Sequence, residues 1–213
     1  MPDQIMMRVD ITQLNGLIER MRAIHTKAEF RKVMYRAISR TGSRVRTILK
    51  QEVPVDYKAP SSWIGRQVGN PTMSSGAEVG CSIPVAGVRG KIGGTYKATA
   101  DAGGSRITTG FSGKSGKRTR RAYKVRANIV SSGASVLPSS GEAVHFMVFS
   151  GPNKGKVYAR LSKERNRIRP AVGIGVPQMP TNRSEAKVQE GIMELLEQRI
   201  AHEHEAIVKG YAR

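Results

Sequence analysis

The chain has 213 residues, a net charge of +20 from 36 Lys and Arg against 16 Asp and Glu, and one cysteine, Cys81. That length suits one domain of ordinary to large size, and the lone cysteine excludes an intrachain disulfide and a cysteine-built metal site. No window approaches the ~18 consecutive apolar residues of a membrane-spanning helix, and the opening MPDQIMMRVDITQ lacks the apolar run of a signal peptide.

The expected product is therefore soluble and made in a reducing cytoplasm. A positive excess of this size opposes compaction and favours a polyanionic partner. Residues 111–170 hold 14 basic and 2 acidic side chains, net +12, whereas residues 171–213 are close to neutral at −1. Hydrophobic residues make up 38% and aromatics 5%, a thin core for this length.

Residues 11–24, ITQLNGLIERMRAI, predict a first helix with Leu14, Leu17, Ile18, Met21 and Ile24 on one face and Asp10 or Thr12 as N-cap. A longer run follows, with Phe30, Val33, Met34, Ala37, Ile38, Thr41, Val45, Ile48 and Leu49 at helical spacing. Gly42 costs that helix about 1 kcal/mol relative to Ala. Pro54 is expected to end it, with Val53 pushed to extended geometry. Its opposite face carries Arg31, Lys32, Arg36, Arg40, Arg44, Arg46 and Lys50. That stripe reads equally as a solvated helix face or a polyanion-facing surface.

Residues 61–68, SSWIGRQV, predict a short helix that buries Trp63, the only tryptophan. Residues 69–116 then contain 12 glycines and few bulky apolar side chains. Such a stretch cannot build its own core. It reads as strands joined by turns, or as a long arm resting on a neighbouring subunit. In YKVRANIV, Tyr123, Val125, Ala127 and Ile129 alternate with Lys124, Arg126 and Asn128, a half-buried strand. AVHFMVF, 143–149, reads as a central strand, and VYARL, 157–161, alternates again. The SGPNKGK between them predicts a β-hairpin.

Residues 162–169, SKERNRIR, are strongly basic. VGIGVPQMPTNRS, 172–184, should be extended and packed, since Pro177 and Pro180 lack amide donors. A last helix over about 183–209 places Val188, Ile192, Leu195, Leu196, Ile200 and Ile207 on one face, with Ser184 or Asn182 as cap.

The pattern predicts an α+β fold: a long N-terminal helix and a C-terminal helix packed on an antiparallel β-sheet. The chain reads as a single domain over 1–213, with 69–122 as a Gly-rich, basic insertion or arm. There is no βαβ alternation and no internal repeat.

Few residues suggest catalysis. GFSGKSGKR, 110–118, approaches a phosphate loop, but the first glycine of that motif falls on Thr108 and no strand–loop–helix frame surrounds it. HEHE, 202–205, reads as a solvated helix end, because His202 and His204 point about 160° apart on a helix. His145 has no nucleophile or acid nearby in sequence, and nothing near Cys81 would lower its pKa. Between 57 and 184 the only acids are Glu78, Asp101, Glu142 and Glu164, too few for a carboxylate-based site. No enzyme activity, metal or cofactor is expected.

The strongest electrostatic signal is KSGKRTRRAYKVR, 114–126, with Lys114, Lys117, Arg118, Arg120, Arg121, Lys124 and Arg126. Arg165, Arg167 and Arg169 extend the candidate patch. It could contact phosphates without sequence preference, bind an acidic protein partner, or serve solubility alone. Aromatic interleaving is nearly absent, with Tyr123 alone, and no helix-turn-helix, zinc finger or RNA-binding sheet motif is present.

The C-terminal RIRPAVGIGVPQMPTNRSEAKVQEGIMELLEQRIAHEHEAIV resembles the end of the prophage minor tail protein Z family, the tail-completion proteins. Pro177, Gln178 and Met179 match the tripeptide that precedes that family's final helix. FRKVMYRAISRTGSRVRTILKQEV looks like its long first helix, with Ala37, Arg40 and Thr41 in the family rhythm. The resemblance covers residues 25–68 and 143–210, and leaves out the Gly-rich and basic stretch.

It implies a non-catalytic virion protein of a tailed bacteriophage, at the head-proximal end of the tail. It implies a ring of copies, commonly a hexamer, with other tail and neck proteins as partners and no membrane. The protein would be made in the host bacterial cytoplasm. A DNA channel through that ring would use the +20 charge, an inference from charge and not from the family. The competing expectation is a sequence-nonspecific nucleic-acid-binding protein.

Overall fold

The structure, a computed structural model, describes residues 14–75, 79–101, 106–108, 119–121, 124–137, 144–148, 151–160 and 168–211. It is α+β, as the pattern predicts, with antiparallel strand pairing. The chain divides into two compact units. The first comprises 1–56, 60–88 and 175–213; the second comprises 57–59 and 89–174. The Gly-rich stretch 69–122 is shared between them.

Unit 1 holds α1 (Asn15–Ile24), α2 (Lys27–Asp56), α3 (Ser61–Gln67), the hairpin of β1 (Thr72–Ser75) with β2 (Val79–Ser82), and α4 (Glu185–Val208). The cap residues Asp10 and Thr12 lie outside the described residues. Leu14, Ile18 and Met21 of the first segment join Val33, Met34 and Ala37 of α2 and Met193, Leu196 and Ile200 of α4 in one apolar cluster. Each of these side chains larger than Ala37 contributes about 1.5–3 kcal/mol on burial. Leu195 and Ile207 are only partly buried, and Met193 takes a core place the sequence pattern did not assign.

α2 opens on a capping box. Thr26 N donates to Glu29 Oε2 at 2.9 Å and Glu29 N donates to Thr26 Oγ1 at 3.3 Å. The helix does not stop at Pro54 but continues through it to Asp56. An interior proline costs about 3 kcal/mol. Here the fully buried Val53 and the partners of Asp56 on α4 offset that cost. In α3 the buried side chain is Ile64, and Trp63 is half-buried. Arg46 Nη2 donates to the Val68 carbonyl at 2.6 Å, which ties α2 to the end of α3.

Gly42 has a packing reason. A Cβ there would stand 2.6 Å from Cys81 Sγ and 3.4 Å from Pro71 Cβ, so the β1–β2 hairpin lies against α2 at this point. On α4, a Cβ at Gly191 would come within 3.3 Å of Ile48 Cγ2. Both glycines set a close approach to α2.

Unit 2 is made of strands: β3 (Arg89–Lys91), β4 (Ala98–Asp101), β5 (Arg106–Thr108), β6 (Thr119–Arg121), β7 (Lys124–Val130), β8 (Gly133–Val136), β9 (Val144–Met147), β10 (Val157–Arg160), β11 (Ile168–Pro170) and β12 (Val172–Gly175). They form the sheets β4-β7-β8 and β11-β10-β9 and the pairs β5-β6 and β12-β3. Alternation holds in β7, where Val125 and Ala127 are buried and Arg126 is exposed, and in β10, where Val157 and Ala159 are buried.

The predicted hairpin forms, with Val157 opposite Met147 and Gly155 N donating to the Val148 carbonyl at 2.8 Å. Among the described residues, however, β9 lies at the edge of its sheet and β10 at the centre. The dense apolar run marks half-burial of β9, and not a central position. Tyr96 is fully buried. Its hydroxyl donates to the Ile174 carbonyl at 2.7 Å, and a Cβ at Gly90 or Gly173 would strike its ring at 2.5 or 2.8 Å. Burial pushes the Tyr96 phenol well up, so it stays a neutral donor.

The stretch 172–184 is not extended throughout. After β12, Val176–Gln178 form one 3₁₀ turn. Pro177 fits because the first turn of a helix leaves its N–H groups without intrahelical partners. Position 184 is the N-cap of α4, yet the Ser184 side chain makes no cap bond and donates instead to Asp56 Oδ2 at 3.0 Å.

Gly42→Ala is expected to destabilise the protein in urea unfolding by about 1–3 kcal/mol through overpacking, despite the better helix propensity of alanine. Adding Cys81→Ala should recover most of the loss. A single G42A variant more stable than the parent would refute this packing.

Candidate functional site

The basic candidates gather in unit 2. It carries 19 Lys and Arg against 3 Asp and Glu, a net +16, which leaves +4 for unit 1. Arg120 and Arg121 lie in β6, Lys124 and Arg126 in β7, and Arg169 in β11. Lys114, Lys117, Arg118, Arg165 and Arg167 lie outside the described residues, as does the phosphate-loop-like run 110–118. The ladder sets Arg106 opposite Arg121 and Ile107 opposite Arg120. Neighbouring ladders set Asp101 opposite Lys124, Thr99 opposite Arg126 and Ala159 opposite Arg169. Arg126 and Arg169 are exposed.

The motif residues Pro177, Gln178 and Met179 belong to unit 1. Pro177 and Met179 are buried, and Gln178 is exposed at its surface. Gln178 Oε1 accepts from Gly175 N at 3.4 Å, which closes the 3₁₀ turn on itself. The tripeptide acts as a corner piece: two apolar plugs and one polar tie lead the chain into α4.

HEHE is not a solvated helix end. Glu203 is 2% exposed, with Arg40 ion-paired to its carboxylate and Arg36 Nη1 3.8 Å away. His204 Nδ1 lies 2.5 Å from His25 Nε2 across an edge-on ring pair, one nitrogen donating and the other accepting. The sequence reading measured His202 only against His204. It missed partners that the fold brings from 160 to 180 positions away. Part of the basic stripe of α2 is thereby spent inside unit 1, on Glu203 and on the Val68 carbonyl. Arg31, Arg44 and Lys50 remain exposed.

Asp56 closes the other end of the α2–α4 pair. Lys187 Nζ donates to its Oδ1 at 3.0 Å, and Ser184 to Oδ2. Lys187 first, and Ser184 after it, hold the Asp56 carboxyl below its ordinary value of 3.8. Glu29 is likewise held low, mainly by Thr26.

A groove of about 730 Å³ runs along α4. Leu14 and Met193 form its floor, and Glu185, Glu190, Glu194 and Glu197 its walls. Sequence reasoning missed it, because the groove exists only once the fold sets Leu14 against α4.

Catalytic candidates are few. Burial pushes the Cys81 thiol up, away from the reactive thiolate. His145 is half-buried on β9. Among the described residues no group of three or more His, Cys, Asp or Glu could hold a metal, and no helix is long and apolar enough to cross a membrane. Comparison with known proteins finds no matching family model, no matching curated protein and no matching solved structure.

Replacing both Arg36 and Arg40 by Ala strands a buried carboxylate and should cost about 3–5 kcal/mol in chemical denaturation. Glu203→Gln, which keeps an acceptor, should cost about 1–2 kcal/mol. Equal losses would mean that Glu203 is not the buried charge.

Asp56 contributes stability that is present above its unfolded value and lost as pH falls through its lower folded value. Thermal melts should therefore show the parent protein losing stability below pH 3.8 more steeply than Asp56→Asn. Parallel curves would show that Asp56 has no such role.

Proposed function

We propose that this chain is a virion structural protein of the tail-completion class. It assembles as a ring at the head-proximal end of a phage tail and helps join tail to head. The observation that carries the reading is the segregation of charge: one compact unit bears +16 with three acids, beside a helical unit that is nearly balanced. A ring of such units places a dense positive field along a DNA path, with attraction to phosphates that needs no base contacts.

The resemblance at both ends of the chain supplies the particular class, and buried Met179 and Pro177 give its tripeptide a structural purpose. The groups that could do chemistry support a non-catalytic role. Burial pushes the Cys81 thiol and the Tyr96 phenol up, and the one buried carboxylate among the described residues, Glu203, is neutralised by arginine. Copies of itself, other tail and neck proteins and double-stranded DNA are the partners. The reading requires no cofactor and no membrane.

The same +16 favours a second reading, a stand-alone nucleic-acid-binding protein without sequence preference. Salt separates the two. A free-standing binder should hold duplex DNA as a monomer at about 0.15 M salt, with affinity falling about linearly in log–log form. A tail-completion protein should show a ring mass in sedimentation and label the head–tail junction of purified particles in electron microscopy. Label elsewhere on the particle would overturn the first reading.

A further inference from the structure

The geometry points to the outer face of the sheet β11-β10-β9 as a binding surface for single-stranded nucleic acid. The inference rests on the nucleic-acid reading above, gives it a surface and a strand state, and needs neither ring nor tail.

The register sorts the sheet by face. Tyr158 stands opposite Phe146 and Pro170, and position 160 stands opposite Val144 and Ile168. Residues opposite one another share a face, and so do residues two apart along a strand. Val144, Phe146, Tyr158, Ile168 and Pro170 therefore share one face. Val157 and Ala159 lie on the other and are buried, which makes that the inner face. The outer face keeps its apolar groups partly in water. Ile168 is 41% exposed, Pro170 is exposed, and Val144, Phe146 and Tyr158 are half-buried. Val172 in β12, 44% exposed, extends the patch. The rings of Phe146 and Tyr158 stack, with centroids 6.0 Å and planes 25° apart. Contiguous apolar surface of this kind marks an interaction site.

Cations border the patch. Lys156, two residues before Tyr158, is exposed, and its amino group donates to the neutral Asn153 side chain at 2.8 Å, so its charge is not cancelled there. Gly90 and Gly173 both turn toward the Tyr96 ring. Pleating therefore turns their neighbours Arg89, Lys91 and Val172 to the opposite side, and Arg89 and Lys91 are exposed. Of the three acids of unit 2, Asp101 lies in β4, in a different sheet, and Glu142 and Glu164 lie outside the described residues.

That combination selects the occupant. A second copy laid face to face would bring two cationic rims together, and each chain already carries +20. Duplex DNA offers phosphates but keeps its bases stacked on one another. A single strand offers phosphates to the rim and unstacked bases to Phe146 and Tyr158, and such stacking is indifferent to sequence. The aromatic groups that the basic run 114–126 lacks stand in this sheet.

The test is fluorescence anisotropy of the full chain with a labelled oligothymidylate of about 16 nucleotides and with a duplex of equal length, at about 0.15 M salt. Charge alone favours the duplex, whose phosphates are denser. The parent protein should instead hold the single strand about ten-fold more tightly. Phe146→Ala and Tyr158→Ala should each weaken single-strand binding about five-fold or more, the effect of losing one stacked base, and leave duplex binding unchanged. Tyr158→Phe keeps the ring and should bind like the parent. Val172→Glu, at an exposed position, sets a negative charge on the face and should weaken single-strand binding too.

Photo-cross-linking of the parent chain to a strand carrying bromouracil needs no variant to fold. It should mark the peptides that hold Phe146 or Tyr158, and marks confined to other peptides overturn the surface. If the parent prefers the duplex and F146A binds single strands as the parent does, charge alone does the binding: this inference falls and the nucleic-acid reading stands. Failure to bind either nucleic acid overturns both. Parent dimers that V172E dissolves, with no single-strand binding, overturn it in favour of a second copy as the occupant.

Discussion

Unit 1 depends on α4 lying antiparallel to α2, and that contact is pinned by charge at both ends. At one end the Glu203 carboxylate is almost wholly removed from water. A carboxylate so placed is tolerable only with strong donors, and Arg40 and Arg36 supply them from α2. At the other end Asp56 receives Lys187 and Ser184. Between the clamps Gly191 lets the helices close on Ile48. The clamps fix register, since sliding α4 by one turn would leave both carboxylates without partners. Apolar burial supplies the attraction but would tolerate several alignments; the ion pairs select one.

Much of this was legible in the sequence. Helical spacing located α1, α2 and α4, and period-two alternation located β7 and the β9–β10 hairpin. These features depend on residues near one another, so local pattern suffices. The misses share a cause. Pro54 looked like a stop because its cost is local, whereas the burial of Val53 and the partners of Asp56 that offset it come from tertiary structure. Ser184 looked like a side-chain cap because the rule is local, and its hydroxyl is instead turned to donate to a distant carboxylate, that of Asp56. Glu203 and His204 looked solvated because Arg40 and His25 are far away along the chain. The Thr26–Glu29 capping box, by contrast, was readable from its spacing and went unused.

The candidate site was legible as a composition and not as a shape. The basic run at 114–126 is plain in the sequence, but its assignment to one unit is not. Nor could the apolar face of α4 disclose that Leu14 and four glutamates of the helix line a groove along it. A helix scored for what it buries says little about what it shows. The like-charge register of β5 with β6 needs the fold, since pairing is what makes two arginines neighbours.

The pairing of β3 with β12 has a consequence for how the chain can fold. Unit 1 is built from both ends of the sequence, so α2 and α4 can meet only after the long interval between them has been gathered in. Closing a disordered loop of that length costs entropy that grows as about (3/2)RT ln n. The strand pair, locked around Tyr96 by Gly90 and Gly173, brings the two ends of the interval side by side. With that pair formed, the chain left to close between α2 and α4 shortens from 57–184 to 57–88 with 176–184. The strand pair joins segments far apart in sequence, so it meets much of that closure cost itself, and a chain that fails at Tyr96 leaves α4 on the longer tether.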